Sequence, residues 1–219
     1  ILPMIITTVY MVLVAILVAT PIGILASVYL QEYAKQGKVV RVIRFATECL
    51  AGIPSIVYGL FGGIFFVVAL KLQYSILSGG LTVAIIILPT IIRSTEEALK
   101  TVPSTYREAS LGLGATKFQT LYKVILPSAI PGILSGVILS IGRVIGESAA
   151  ILLTAGTVAK MPLTVFDSAR TLTVHAYLLT KETGDIQTAC GVGIVLIVIV
   201  FGLNTIAKLV AKKLNKANY

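Results

Sequence analysis

Residues 1–30 read ILPMIITTVYMVLVAILVATPIGILASVYL, without one charged side chain. A membrane-spanning helix needs about 20 mainly apolar residues, so this stretch is long enough to cross a bilayer. It is not alone. Residues 72–92, 124–142 and 186–207 are also uncharged, and 45–70 carries only Glu48. In lipid every backbone N–H and C=O must be satisfied internally, which leaves helices or closed barrels. Barrel strands alternate apolar and polar residues; these runs are solidly apolar. The pattern predicts an all-α membrane protein, a polytopic helical bundle forming one transmembrane domain over 1–219. Its five spans fall at 5–30, 53–70, 77–92, 128–156 and 188–210.

Composition agrees. Apolar residues make up 57% of the chain and charged residues 12%, against about 25% charged in water-soluble domains. That excludes a soluble enzyme, and an apolar content this high excludes a disordered chain. The formal charge of +9 fits either nucleic acid or one face of a membrane. Position decides between them. Thirteen of the 18 basic residues fall on one side if the spans alternate. They are Lys35, Lys38, Arg41 and Arg44, then Arg93, Lys100, Arg107, Lys117 and Lys123, and then Lys208, Lys212, Lys213 and Lys216. Only Lys71, Lys160, Arg170 and Lys181 fall on the other side. This is a topology signal, not a nucleic-acid footprint. It predicts a cytoplasmic C-terminus and an exterior Ile1. An exterior start with neither a start Met nor a visible signal peptide implies an upstream span or export signal.

Pro21, Pro54, Pro89 and Pro131 lie in or at the spans, and Gly59, Gly62 and Gly63 crowd the second. In a bilayer such residues permit kinks and close helix contact. Cys49 and Cys190 fall at opposite membrane faces, too far apart to bridge; both are expected to be small buried residues.

The segment 94–127 is too long for a simple turn. Pro103 suits a helix start, Gly112 and Gly114 interrupt, and Thr116 with Gln119 forms a capping-box pair for a second helix. Two short helices with a glycine elbow serve no need of a returning chain; they suit a platform where another protein docks. The chain has no G-x-x-x-x-G-K-[ST] phosphate loop, so energy would come from a partner.

Glu108-Ala109-Ser110, Gly114 and Val124-Ile125-Leu126-Pro127 resemble the EAA loop of ABC importer permeases, which reads E-A-A, three residues, G, nine residues, I-x-L-P. Ser110 and Val124 depart mildly from it; Glu108, Ala109, Gly114, Leu126 and Pro127 match. Three further segments are similar to the phosphate branch of that family: 52–60 (GIPSIVYGL), 88–99 (LPTIIRSTEEAL) and 146–156 (GESAAILLTAG). So is 172–177 (LTVHAY). The resemblance implies the type I (MetI-like) importer permease fold and a non-catalytic subunit of a phosphate importer; the alternatives are an ABC permease for another oxyanion or small solute, and a secondary transporter or receptor without an ATPase. It implies that Glu108, Ala109, Ser110, Gly114, Leu126 and Pro127 couple to ATP-binding subunits. It further implies a second permease chain, two ATPase subunits and an exterior phosphate-binding protein as partners. ATP would be bound by those partners, with no cofactor or metal in this chain. The exterior segment 157–188 is long enough to meet the binding protein.

One basic residue escapes the topology pattern. Arg143 lies twelve residues past Pro131, about 18 Å along a helix and so near mid-bilayer. Glu147, four residues on, would share its helix face and form a buried ion pair. A guanidinium fork also suits an oxyanion, so phosphate could replace Glu147 as the partner of Arg143. Ser148 and Thr154 offer hydroxyls to the same path. Glu96 and Glu97 read as a solvated helix start. His175 stands alone in the exterior loop, without the clustered partners of a metal or catalytic site.

Overall fold

The computed structural model describes the backbone of residues 1–35 and 37–216, and side chains through Leu209. Lys212, Lys213 and Lys216, counted in the charge topology, lie outside the described side chains.

Helix α1 (Leu2–Val28) runs on through a π turn at Tyr29–Tyr33. Helix α2 (Lys38–Ala51) meets α3 (Ser55–Gly62), which continues as a π-helical stretch Gly63–Ala69, at a bend of 98°. Then come α4 (Ile76–Thr101), α5 (Ser104–Gly112) and α6 (Lys117–Thr120). A π turn at Leu121–Ile125 joins α6 to α7 (Leu126–Gly146). Last are α8 (Ala149–Thr154), α9 (Leu172–Leu178) with a π turn Leu179–Thr183, and α10 (Ile186–Lys216). Among the described residues four helices are long and apolar enough to cross a membrane, and the bent α2–α3 pair makes a fifth candidate. These fall at the five places the apolar runs indicate.

Small residues let the helices close on one another, as lipid-embedded packing requires. Helices α1 and α4 run parallel: Met11 lies against Gly79, and a Cβ at Gly23 would sit 2.6 Å from Ile91 Cγ2. Ser27 Oγ reaches the Gly23 carbonyl at 2.7 Å and the Ile92 carbonyl at 2.8 Å. Helix α7 crosses α4 in the opposite sense, with Gly136 against Ser94 and Gly132 against Ala98. Gly59 abuts the Ala150 backbone, where a Cβ would meet its Cα at 2.8 Å. The main core joins Met11, Ala15 and Ala19 of α1 to Val83, Ile87 and Ile91 of α4, with Val144, Ile145, Ile151 and Val174. A second cluster, Leu99, Val102, Leu121, Ile125 and Ala129, closes the end where α5 and α6 lie.

Three expectations need correction. The fourth span is not one helix over 128–156: a helix runs from Lys117 to Gly146, and the chain then breaks. Glu96 and Glu97 are not a helix start. Helix α4 continues to Thr101, and Glu96 is buried against Arg44 while Glu97 pairs with Arg93. Cys49 and Cys190 are free and exposed, because they sit on faces of α2 and α10 turned from the chain's own core. Pro21, Pro89 and Pro131 lie inside helices that pass through them, and the sharp bend falls between α2 and α3, where Pro54 immediately precedes α3.

Candidate functional site

The break after α7 lies deep in the bundle. Ala150, just beyond it, packs with Tyr58 of α3 and with Ile86, near the middle of α4. Glu147 ends α7 with extended backbone, φ −74° and ψ 131°. Its side chain turns forward: Oε1 accepts the Ser148 N–H at 3.1 Å and the Ala150 N–H at 3.2 Å. A helix start in lipid leaves orphan donors that water cannot reach, and the Glu147 carboxylate satisfies two of them. On the other side of the break, Thr173 Oγ1 donates to the carbonyls of Ile145 at 3.2 Å and Glu147 at 3.0 Å.

The expected Arg143–Glu147 ion pair is therefore absent. The spacing of four brings side chains together only on a continuous helix, and Glu147 has left the helix. Among the described residues Arg143 makes no hydrogen bond or ion pair. It is exposed on the chain surface, close enough for its charge to act on the Tyr58 hydroxyl. Ser148 is half-buried at the break. Thr154 does not offer its hydroxyl outward: it is fully buried, and Oγ1 donates to the Ala150 carbonyl at 2.6 Å.

Nearer the α5–α6 end a cavity of about 450 Å³ opens between α2 and α4. Arg44, Glu48, Arg93, Glu96, Glu97 and Lys100 give it balanced charge. Arg44 Nε lies 3.2 Å from Glu96, and Arg93 Nε 3.3 Å from Glu97. None of these contacts is visible in sequence spacing except the Arg93–Glu97 step of four.

Within 94–127, α5 is a separate short helix, while the expected second short helix is the first turn of the helix that runs from Lys117 into α7. Pro103 immediately precedes α5, and Gly114 takes φ +84°, a left-handed turn that glycine adopts without a Cβ penalty. The Thr116–Gln119 capping box is formed in both directions, at 3.2 and 2.9 Å. Ser110 Oγ meets Thr120 Oγ1 at 2.9 Å and ties the two helices together. Leu126 and Pro127 open α7. In the π turn before them the Leu126 N–H donates to the Leu121 carbonyl. Glu108 and Ala109 are exposed. So are Tyr106, Leu111, Leu113 and Phe118, with Leu113 at 90%; the sequence reading missed this apolar surface.

His175 lies on α9, half-buried, with Nδ1 lacking a partner. Burial, and then the Arg170 charge, hold its pKa below the ordinary 6.5. Among the described residues no cluster of three His, Cys, Asp or Glu side chains could hold a metal.

A family model described as "Binding-protein-dependent transport system inner membrane component" matches residues 19–217. The chain belongs to this family. Among curated relatives, the phosphate transport system permease protein PstA of Mycobacterium leprae is 39% identical over 194 residues, 87% of this chain and 64% of that protein. The Bacillus subtilis protein YqgI, named as an ABC transporter permease without a substrate, is 39% identical over 186 residues, 79% of this chain and 63% of that one. The chain thus spans slightly under two thirds of their length. The fold matches that of a chain in the inward-facing MetNI methionine ABC transporter, with TM-score 0.75 and 20% identity over 97% of this chain and 93% of that one. As a family member with this fold, the chain is an importer-type permease in architecture, as the EAA-like segment implies.

Proposed function

We propose that this chain is a transmembrane permease subunit of an ATP-driven phosphate importer. It forms part of the translocation path and performs no covalent chemistry. The observation that carries this reading is Arg143, a cation without a partner among the described residues. It stands at a helix break level with the middle of α4. An arginine turned to lipid at mid-membrane costs roughly 2.5–3.5 kcal/mol on insertion scales. Its face is therefore turned to water or to another protein. Broken helices in membrane carriers line cavities, and a guanidinium is the side chain best matched to a phosphate oxyanion. The phosphate-transport names of the PstA relatives point to the same substrate.

In this reading Glu147 shapes the path by holding the break open, not by neutralising Arg143. Ser148, at the same break, supplies a hydroxyl to it. The cavity between α2 and α4 is the cytoplasmic mouth. Glu108, Ala109, Ser110, Gly114, Leu126 and Pro127 belong to the coupling segment. Its exposed Leu111, Leu113 and Phe118 seat against an ATP-binding subunit. A second permease chain, two ATP-binding subunits and an exterior phosphate-binding protein complete the assembly. The protein sits in the inner membrane with its C-terminus in the cytoplasm.

The experiment is uptake into vesicles holding the full assembly, with sulfate and other oxyanions as competitors. ATP-dependent phosphate uptake that excess sulfate does not suppress supports the reading. Uptake of another solute with phosphate excluded overturns the substrate. ATP-independent uptake, with no ATPase subunit co-purifying, overturns the transporter class.

A further inference from the structure

The ends of α1, α2, α4 and α5 are tied together at two adjacent residues, Gln31 and Glu32, in the π turn that follows α1. Arg107 of α5 donates through Nη2 to Glu32 Oε1 at 2.6 Å. The same guanidinium reaches the Leu99 carbonyl of α4 at 3.4 Å and the Val102 carbonyl at 3.5 Å. One residue earlier, Gln31 Oε1 accepts from Arg44 Nη2 of α2 at 3.3 Å, and Arg44 Nε continues to Glu96 of α4. Two arginines from different helices thus converge on one short turn.

Helix α5 follows α4 after two residues, and the Arg107–Glu32 pair is its side-chain tie to the end of α1. The helix buries no side chain. Its remaining polar tie, Ser110 to Thr120, leads to the helix that runs from Lys117 into α7, not to α1 or α4. The Arg107–Glu32 pair is partly shielded, with side chains 27% and 16% exposed. It is charge-assisted and short, the strong class of hydrogen bond. The long carbonyl contacts need a planar fork with several donors, which lysine lacks.

We infer that Arg107 is a positioning residue that transmits motion of α5 into α1 and α4 through Glu32. From Glu32 the adjacent Gln31–Arg44–Glu96 contacts carry it to α2 at the cavity mouth. This rests on the reading of the chain as an ATP-driven permease. Any displacement of α5 must either drag the turn at 29–33 with it or break the ion pair. With the pair removed, motion of α5 no longer reaches α1 through Glu32, and each ATP turned over moves less phosphate.

The test uses the full assembly in proteoliposomes, with phosphate uptake and ATP hydrolysis measured in the same vesicles. The variants are R107A, the isosteric E32Q, the single reversals R107E and E32R, and the swap R107E/E32R. For R107A and E32Q we expect hydrolysis within about twofold of wild type and phosphate moved per ATP reduced by about fivefold or more, the usual range of a coupling interaction. The swap restores the ion pair and recovers uptake per ATP relative to either reversal alone. A purely structural role would lower hydrolysis and uptake together and leave their ratio unchanged. An unchanged ratio in E32Q and R107A, or a swap no better than the single reversals, overturns the inference. If wild-type vesicles show no ATP-driven uptake, the functional reading falls and takes this inference with it.

Discussion

Glu147 Oε1 accepts the Ala150 N–H at 3.2 Å, so the carboxylate faces along the chain into α8 and away from Arg143. This one contact changes what both charged residues at the break do. Glu147 is a cap, and Arg143 is left with its charge available.

If Glu147 is a cap, Glu147→Ala lowers the thermal stability of the detergent-solubilised protein by about 0.5–2 kcal/mol, the usual range for a lost helix cap. Glu147→Gln, which keeps an acceptor oxygen, lowers it less. In a double-mutant cycle with Arg143→Ala the two effects add, because no ion pair joins the residues. A coupling energy well above the scatter of the melts would show that the pair exists.

Gly136 faces Ser94 so closely that any Cβ there collides with the serine side chain. Gly136→Val forces α7 off α4 and destabilises by about 1–3 kcal/mol, as overpacking does. The double variant Gly136→Ala with Ser94→Gly recovers part of the loss. Thermal melts of the purified variants check both.

The position of His175 sets a pH dependence. Burial, followed by the Arg170 charge, lowers its folded pKa below 6.5, so the unfolded state binds the proton more readily. Stability from this residue is fully present above pH 6.5 and is lost as pH falls through the lower folded value. The protection factor of the α9 amides, their exchange normalised to the intrinsic rate at each pH, should fall on acidification below pH 6.5 in wild type and fall less in His175→Phe. Equal falls in both would remove His175 from the explanation.

Leu113 is nearly fully exposed beside Gly114, on a segment too polar to enter lipid. Leu113→Glu or Phe118→Asp changes stability by no more than about 0.5 kcal/mol, as surface changes do. Each releases the ATP-binding subunits during purification. Retention of those subunits by both variants would place the docking surface elsewhere.

Much of the fold is legible in the residues because lipid admits few solutions. Uncharged runs mark where helices cross, and Thr116 with Gln119 marks the start of α6 because a capping box is a local device. What escapes the sequence depends on long-range contacts. The run 144–156 holds one acid and otherwise reads as helix, so the break at Glu147 is hidden. The break persists because Thr173, from a separate segment, bonds the Ile145 and Glu147 carbonyls. Helix α2 is hidden by its basic residues, although Val39, Val42, Ile43, Ala46, Cys49 and Leu50 recur at helical spacing. Glu96 looks solvated until Arg44, 52 residues away in sequence, closes over it. Arg107 reads as one more basic residue until its ion pair with Glu32, 75 residues earlier, is seen.

The central claim is that the Arg143 guanidinium engages phosphate in the path, and phosphate uptake by Arg143→Lys in proteoliposomes tests it most directly. Lysine keeps the charge and loses the fork. The account predicts that uptake falls by about tenfold or more, equivalent to about 1.4 kcal/mol or more of barrier, while membrane insertion and ATPase-subunit binding stay normal. Uptake at the wild-type rate would contradict it.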